Sequence, residues 1–121
     1  MKIGGVGGTV LIVDDQPAFR RLARALLELD GFVVVGEAGA AGEALEAARR
    51  LGPDVVLLDV RLPDGSGVDL ARLMRSWPAP PAVVLVSTAD YALAADECGA
   101  HGFIPKGELS GPVLRAIIGS Q

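Results

Sequence analysis

Two kinds of segment alternate along the chain. Five short runs rich in Val, Leu and Ile have the composition of strands buried on both faces, and helical segments with apolar residues three or four positions apart follow each of them. Strands that alternate with helices pair in parallel through right-handed crossovers. The pattern therefore predicts a single α/β domain with helices on both faces of a parallel sheet. The predicted strands cover residues 9–13, 32–35, 55–58, 82–86 and 102–105, and the predicted helices cover 18–30, 40–51, 68–77, 89–98 and 109–118.

Polar side chains stand where four of the five predicted strands end. Because the carboxyl ends of parallel strands meet at one edge of the sheet, where open α/β sheets bind their ligands, we expect these side chains at one site. Each has an ordinary explanation when taken alone, such as capping a helix or lying solvated at the surface. All of them together favour a common site. They are Asp14, Asp15, Asp59, Ser87, Thr88 and Lys106.

The three carboxylates of this set predict a bound cation. Two carboxylates 4 Å apart repel by about 4 kcal/mol at an effective dielectric constant of about 20, and a divalent ion relieves that repulsion. An all-oxygen ligand set suits Mg²⁺ better than Zn²⁺, and His101 precedes the last strand, away from this edge. A carboxylate beside Mg²⁺, with a hydroxyl and a lysine nearby, fits transfer of a phosphoryl group to Asp59 as nucleophile.

Composition narrows the class of protein further. The 121 residues include 11 basic and 15 acidic side chains, for a net charge of −4, which argues against a nucleic-acid-binding domain. The single cysteine, Cys98, cannot form an internal disulfide and indicates a reduced, cytoplasmic location. The sequence has neither a signal peptide nor an apolar run long enough to span a membrane. We expect residues 1–7 to be a flexible leader and residues 8–121 to be the domain.

Short motifs extend over residues 9–118 in a characteristic order. Val13-Asp14-Asp15, Leu58-Asp59, Leu62-Pro63 with Gly67, Ser87-Thr88-Ala89 and the run Gly99–Lys106 together resemble the receiver domain of two-component response regulators. The resemblance implies a three-layer, flavodoxin-like fold whose five parallel strands have the order 2-1-3-4-5. It also implies phosphorylation by a histidine kinase. The fourth helix, fifth strand and fifth helix would form the signalling face, and a homodimer would form through the same face.

The resemblance assigns roles to the acidic residues. Asp59 matches the aspartate that accepts the phosphoryl group. Asp15 and Asp59 match direct Mg²⁺ ligands, and Asp14 matches the acid that acts partly through water. The main-chain carbonyl of Arg61 would supply a further ligand. The protein would thus be a phosphoacceptor with self-catalysed transfer and autodephosphorylation rather than an enzyme.

Other roles follow from the same resemblance. Ser87 matches the hydroxyl that shifts toward the phosphoryl group, Lys106 matches the lysine that pairs with this group, and Phe103 stands at the switch-aromatic position. Thr88 is a departure, because the family commonly has Ala or Gly there. Its β-branched side chain is expected to narrow access to Asp59 and slow phosphorylation by small donors.

The residues after the last predicted strand bear on the output of the domain. The run Lys106–Ser110 resembles the subgroup whose receivers precede helix-turn-helix domains. We expect the chain to be the receiver part of a transcriptional regulator that contacts DNA only through an output domain absent from this chain. The alternative is a stand-alone receiver that acts by protein interaction, with or without phosphorylation.

Two other classes of protein share parts of the pattern. Haloacid dehalogenase-type phosphatases also use an aspartate at a strand end with Mg²⁺, but they need a second aspartate two residues later, where this chain has Arg61. A flavin or nucleotide binder of flavodoxin type should have a Gly-rich loop after the first strand. The chain has acids there instead, so both classes are disfavoured.

Overall fold

The fold is built on one parallel sheet, seen in a computed structural model that describes residues 8–119. The expectation for residues 1–7 lies outside the described residues. Within them, the order of the sheet strands is β2-β1-β3-β4-β5, which confirms the expected order 2-1-3-4-5. Each neighbouring pair in this sheet is parallel. The strands are β1 (Thr9–Val13), β2 (Val33–Ala38), β3 (Val55–Asp59), β4 (Ala82–Ser87) and β5 (Gly102–Pro105).

Helices connect the strands and cover both faces of the sheet. A 3₁₀ turn at Lys106–Glu108 follows β5, and a small antiparallel hairpin pairs Arg61–Leu62 with Gly65–Ser66 after β3. None of the helices in residues 8–119 combines the length and apolar character needed to cross a membrane. The helices are α1 (Pro17–Leu29), α2 (Ala41–Leu51), α3 (Gly67–Arg75), α4 (Ala92–Cys98) and α5 (Gly111–Ile118).

The core consists of two apolar clusters, one on each face of the sheet. Side chains of α1 and α5 pack with Ile12 and Leu57 on one face. Side chains of α2, α3 and α4, including Cys98, pack with Leu11 and Leu58 on the other face. These alternate residues of β1 and β3 are fully buried, so both central strands are held from two sides. The three-layer α/β class predicted from the sequence is confirmed.

The ends of several elements differ from the predicted ones. Helix α4 begins at Ala92 rather than at residue 89, because Ser87 Oγ accepts the N–H of Ala89 and Asp90 Oδ1 accepts the N–H of Ala92. These side-chain bonds to the backbone compete with helix formation. Helix α5 likewise begins only after Ser110, whose hydroxyl caps it. Strand β2 continues three residues beyond the apolar run, to Ala38, because it pairs along the whole of β1.

Candidate functional site

The carboxyl edge of the sheet gathers the predicted polar residues. Asp14 follows β1, Asp59 is the last residue of the central strand β3, and Ser87 is the last residue of β4. In the next pair of strands, Ser87 lies opposite Pro105, the residue before Lys106. Parallel pairing therefore brings four separate parts of the chain to one edge, as expected.

Three carboxylates at this edge form a compact cluster. Asp14, Asp15 and Asp59 each offer one oxygen, and these atoms all lie within 4.8 Å of one another. Asp14 is fully buried and Asp59 is 6% exposed, whereas Asp15 is open to solvent. The cluster is thus anchored in the protein on one side and accessible from the other.

Lys106 neutralises part of this negative charge. Its ammonium nitrogen lies 2.6 Å from Asp14 Oδ2 and 3.4 Å from Asp59 Oδ2. The same nitrogen stands 4.7 Å from the centre of the Phe19 ring, at a distance typical of a cation–π contact. Burial opposes the charge on Lys106, but the carboxylates of Asp14 and Asp59 outweigh it and raise the pKa of the ammonium group. Lys106 therefore remains a cation across the physiological pH range.

Asp14 is held through several of its polar groups. Its main-chain N–H donates to Ala38 O at 2.9 Å, and its Oδ1 accepts the N–H of Gln16 at 2.8 Å. Its buried Oδ2 pairs with the ammonium group of Lys106 at 2.6 Å, and it has no other partner among residues 8–119. A carboxylate has several lone pairs, so the Asp14 carboxylate can still bind a second cation beside this ammonium group.

The carboxyl group of Asp59 is less acidic than an exposed aspartate. Its burial raises its pKa, and the nearby charge of Asp14 raises it further, while Lys106 and the main-chain N–H of Arg61 act in the opposite direction. The Arg61 N–H reaches Asp59 Oδ1 at 3.4 Å, which is long for a hydrogen bond. The described part of the chain therefore provides only long hydrogen bonds to the carboxylate of Asp59.

The donor set of this edge fits a magnesium ion. Carboxylate oxygens are ligands that Mg²⁺ prefers, and a site open to solvent on one side lets this ion keep several of its waters. The exposed carboxylate of Asp15 and the remaining lone pairs of the Asp14 carboxylate are available for such a role. The acid cluster could hold a divalent metal, with Asp14, Asp15 and Asp59 as the candidate ligands.

The remaining predicted site residues differ in their surroundings. Ser87 is buried, and its Oγ accepts the N–H of Ala89 at 3.1 Å. Thr88 is exposed beside it. Phe103 is half-buried, lies opposite Leu85 in the sheet and packs on the cluster that faces α4. His101 is exposed and precedes β5, as the sequence indicated.

Three residues around the site have contacts that the sequence did not reveal. In the sequence, Phe19 belongs to the apolar face of the first helix and Arg20 to its polar face. In the structure, the Phe19 ring lies beside Lys106, and Arg20 donates to the main-chain oxygen of Asp14. Asp64 follows the small hairpin's first segment and accepts the N–H groups of Ala41 and Gly42, at the start of α2. Of these three residues, only Asp64 could have been identified from the sequence, because aspartate side chains often cap the start of a helix.

Fold and site together define a parallel α/β domain with an acidic cluster and a lysine at the carboxyl edge of its sheet. A family model described as the response regulator receiver domain matches residues 10–118. The chain belongs to this family, as the motifs indicated.

Individual relatives agree with this membership. The chain is 46% identical over 104 residues to a protein-glutamate methylesterase/protein-glutamine glutaminase of Rhizobium etli, covering 80% of this chain and 29% of that protein. It is 40% identical over 99 residues to the KDP operon transcriptional regulatory protein KdpE of Escherichia coli, covering 80% of this chain and 44% of that protein. The chain thus spans less than half the length of both relatives.

A solved structure gives the same result in three dimensions. The signal receiver domain assigned to the response regulator NarL of Mycobacterium tuberculosis superposes with a TM-score of 0.85 at 35% identity. The match covers 94% of this chain and 95% of that domain. The similarity extends over nearly the whole sheet and its helices.

Proposed function

We propose that this receiver domain is a switch that accepts a phosphoryl group on Asp59. The observation that carries the proposal is the placement of Asp59 at the end of the central strand, with Lys106 3.4 Å away and inside the cluster of three acids. Asp14 and Asp15 flank it from β1, and Ser87 flanks it from β4. Of the three acids, Asp59 is the one on the central strand β3, which lies between β1 and β4.

Several residues of the site have different roles in the transfer of the phosphoryl group. An oxygen of Asp59 attacks the phosphorus of a phosphohistidine, a P–O bond forms, and the P–N bond to the histidine breaks. Lys106, which is already held beside Asp59, pairs with a phosphoryl oxygen. Asp14, Asp15, Asp59 and the main-chain carbonyl of Arg61 would hold Mg²⁺, which when bound supplies positive charge to the phosphoryl oxygens. Water then attacks the phosphorus of the acyl phosphate, the P–O bond to Asp59 breaks, inorganic phosphate leaves and the carboxylate of Asp59 is regenerated.

The readout is proposed to run through Ser87 and Phe103. The phosphoryl group adds negative charge and strong acceptors beside the buried hydroxyl of Ser87, which now accepts only the N–H of Ala89 among the hydrogen bonds found in the described residues. Turning this hydroxyl toward the phosphoryl group changes the loop before α4. Phe103, half-buried next to that helix, can then occupy the vacated volume. Phosphorylation shifts the population between two arrangements of this face.

The partners are proposed from the family. A histidine kinase donates the phosphoryl group. The similarity to KdpE favours a transcriptional regulator as the whole protein to which this receiver domain belongs. Contact with DNA would then belong to an output domain. The surface made by α4, β5 and α5 is the proposed place of a homodimer. A stand-alone receiver that acts through protein contacts is the other candidate.

Intact-protein mass spectrometry tests the phosphoacceptor. The protein is incubated with acetyl phosphate, with and without Mg²⁺, as wild type, Asp59→Asn and Asp64→Asn. We expect a Mg²⁺-dependent gain of one phosphoryl group in the wild type and in Asp64→Asn, an exposed acid in the neighbouring loop. Asp59→Asn should gain none.

Two results would contradict parts of this proposal. Uptake by Asp59→Asn at the wild-type rate would refute Asp59 as acceptor. If the wild type gains nothing, Thr88→Ala separates a blocked site, which the smaller residue opens, from a receiver that works without phosphorylation.

A further inference from the structure

Arg20, on the first turns of α1, connects the ends of two strands beside the acid cluster. Its Nη1 donates to the main-chain oxygen of Asp14 at 2.6 Å, and its Nε lies 3.1 Å from Glu37 Oε1. The second oxygen of Glu37 accepts from Arg24 Nε at 2.8 Å. The two arginines therefore share one carboxylate, but in the described residues only Arg20 also bonds to Asp14.

The guanidinium of Arg20 is fixed more firmly than a surface ion pair. The side chain is 21% exposed and bonded at two of its nitrogens, and the planar fork suits two simultaneous partners. Gly39 leaves room for it, since a Cβ there would lie 3.3 Å from Nη1. Glu37 is ionised at neutral pH because hydrogen bonds from Arg24 and Arg20 lower its pKa against the effect of burial.

This contact controls the peptide plane that leads to Asp15. The carbonyl of Asp14 and the N–H of Asp15 belong to one rigid peptide unit, so a bond that fixes the oxygen also fixes the direction in which the chain enters Asp15. Asp14 itself has further anchors at its N–H and at its carboxylate. This backbone also sets the position of the Asp15 Cβ, from which the exposed carboxylate extends.

We propose that Arg20 is a positioning residue for the cation site: through the main-chain oxygen of Asp14 it fixes the backbone from which the exposed Asp15 carboxylate extends toward the cation. This inference rests on the Mg²⁺ site of the proposed function. The inference also predicts the direction in which the Mg²⁺ affinity changes when Arg20 is replaced. Loss of a positive charge near carboxylates would by itself strengthen binding of a cation, whereas loss of positioning weakens it.

Calorimetric titration with MgCl₂ measures the effect on the whole chain. The variants are Arg20→Met and the matched control Arg24→Met, which removes the same charge from the same helix and the same partner, Glu37. We expect Arg20→Met to bind Mg²⁺ roughly tenfold more weakly, as for other residues that orient metal ligands, and Arg24→Met to stay within about twofold of wild type. Circular dichroism establishes that each variant is folded.

A second variant makes the test independent of the stability of Arg20→Met. Glu37→Gln keeps the charge of Arg20 but weakens its anchor, and we expect Mg²⁺ binding several-fold weaker than in the wild type in about 0.5 M KCl, where the effect of the lost Glu37 charge itself is largely screened. If the wild type binds Mg²⁺ and both Arg20→Met and Glu37→Gln bind it equally well or more tightly, the positioning role of Arg20 is refuted, while the proposed cation site stands. A wild type that does not bind Mg²⁺ would overturn the proposed cation site and this inference with it.

Discussion

Replacing Gly67 with alanine perturbs the backbone of Asp59 without touching its side chain. Gly67 is the first residue of α3, and its N–H donates to the carbonyl of Val60 at 2.8 Å. A Cβ at this position would lie 2.2 Å from the main-chain oxygen of Asp59 and 3.0 Å from Val60 Cα. The glycine therefore permits the loop after β3 to close tightly against the end of that strand.

The size of the effect follows from this overlap. A carbon–oxygen contact normally measures about 3.3 Å or more, so alanine must push the two backbone segments apart by about 1 Å. Since the opposing atoms are main-chain atoms, no side chain can rotate away. Overpacking of this kind costs about 1–3 kcal/mol of stability. A reacting group misplaced by 1 Å can lose about 100-fold in rate.

Chemical denaturation and the rate of phosphorylation by acetyl phosphate measure the two effects. Gly65→Ala is the matched control, because its Cβ would lie 3.4 Å from that of Ala41, an ordinary contact, in the same loop. We expect this control to leave the rate unchanged and to stabilise the fold by up to about 1 kcal/mol through the unfolded chain. If Gly67→Ala matched Gly65→Ala in both measurements, the argument from close approach would be wrong.

Three further predictions concern stability. Leu58→Ala should lower the free energy of unfolding by about 2–5 kcal/mol in urea titrations, because Leu58 is fully buried, whereas Leu29→Ala, at an 87% exposed position, should change it by less than about 0.5 kcal/mol. Without divalent cations, Asp59→Asn should raise the melting temperature at neutral pH: the native pKa of Asp59 is raised, so its ionisation costs stability as pH rises through that range, and the gain should vanish at low pH. An unchanged gain at low pH would contradict this cause. Asp64→Ala should lower the melting temperature at neutral pH, and the difference should disappear in acid. Hydrogen bonds from Gly42 and Ala41 lower the pKa of Asp64, so its contribution is present above the ordinary value of 3.8 and is lost as pH falls through the lower native value. A difference that persisted in acid would mean that lost packing, not the charged cap, is responsible.

The sheet and the acid cluster were predictable because both depend on regular geometry. Apolar runs mark the strands, and parallel strands place their carboxyl ends together. Asp14, Asp15, Asp59 and Lys106 therefore met at one site although up to 92 positions separate them along the chain. No knowledge of side-chain contacts was needed for that conclusion.

Contacts between a helix and a distant loop were not predictable in the same way. Helical spacing assigns Phe19 to the apolar face of α1 and Arg20 to its polar face. It does not show that Lys106 lies beside Phe19 or that the carbonyl of Asp14 lies beside Arg20. The start of α4 was also misplaced, since bonds from Ser87 and Asp90 to the backbone hold the preceding residues in a loop. Such short-range competition depends on side-chain rotamers that periodicity does not encode.

The charge balance of the site explains why a fold can carry such a cluster at all. Three carboxylate oxygens within 4.8 Å of one another repel by about 3.5 kcal/mol per pair at an effective dielectric constant of about 20, and a single ammonium offsets only one of the three charges. The strands that deliver Asp14 and Asp59 are buried on both faces, so apolar packing holds the acids together despite this repulsion. Two negative charges remain, which is the charge of one divalent cation. In the proposed function, a divalent cation held here would let a phosphoryl group approach Asp59 without that repulsion, and the charge of the phosphoryl group would then act on Lys106 and Ser87.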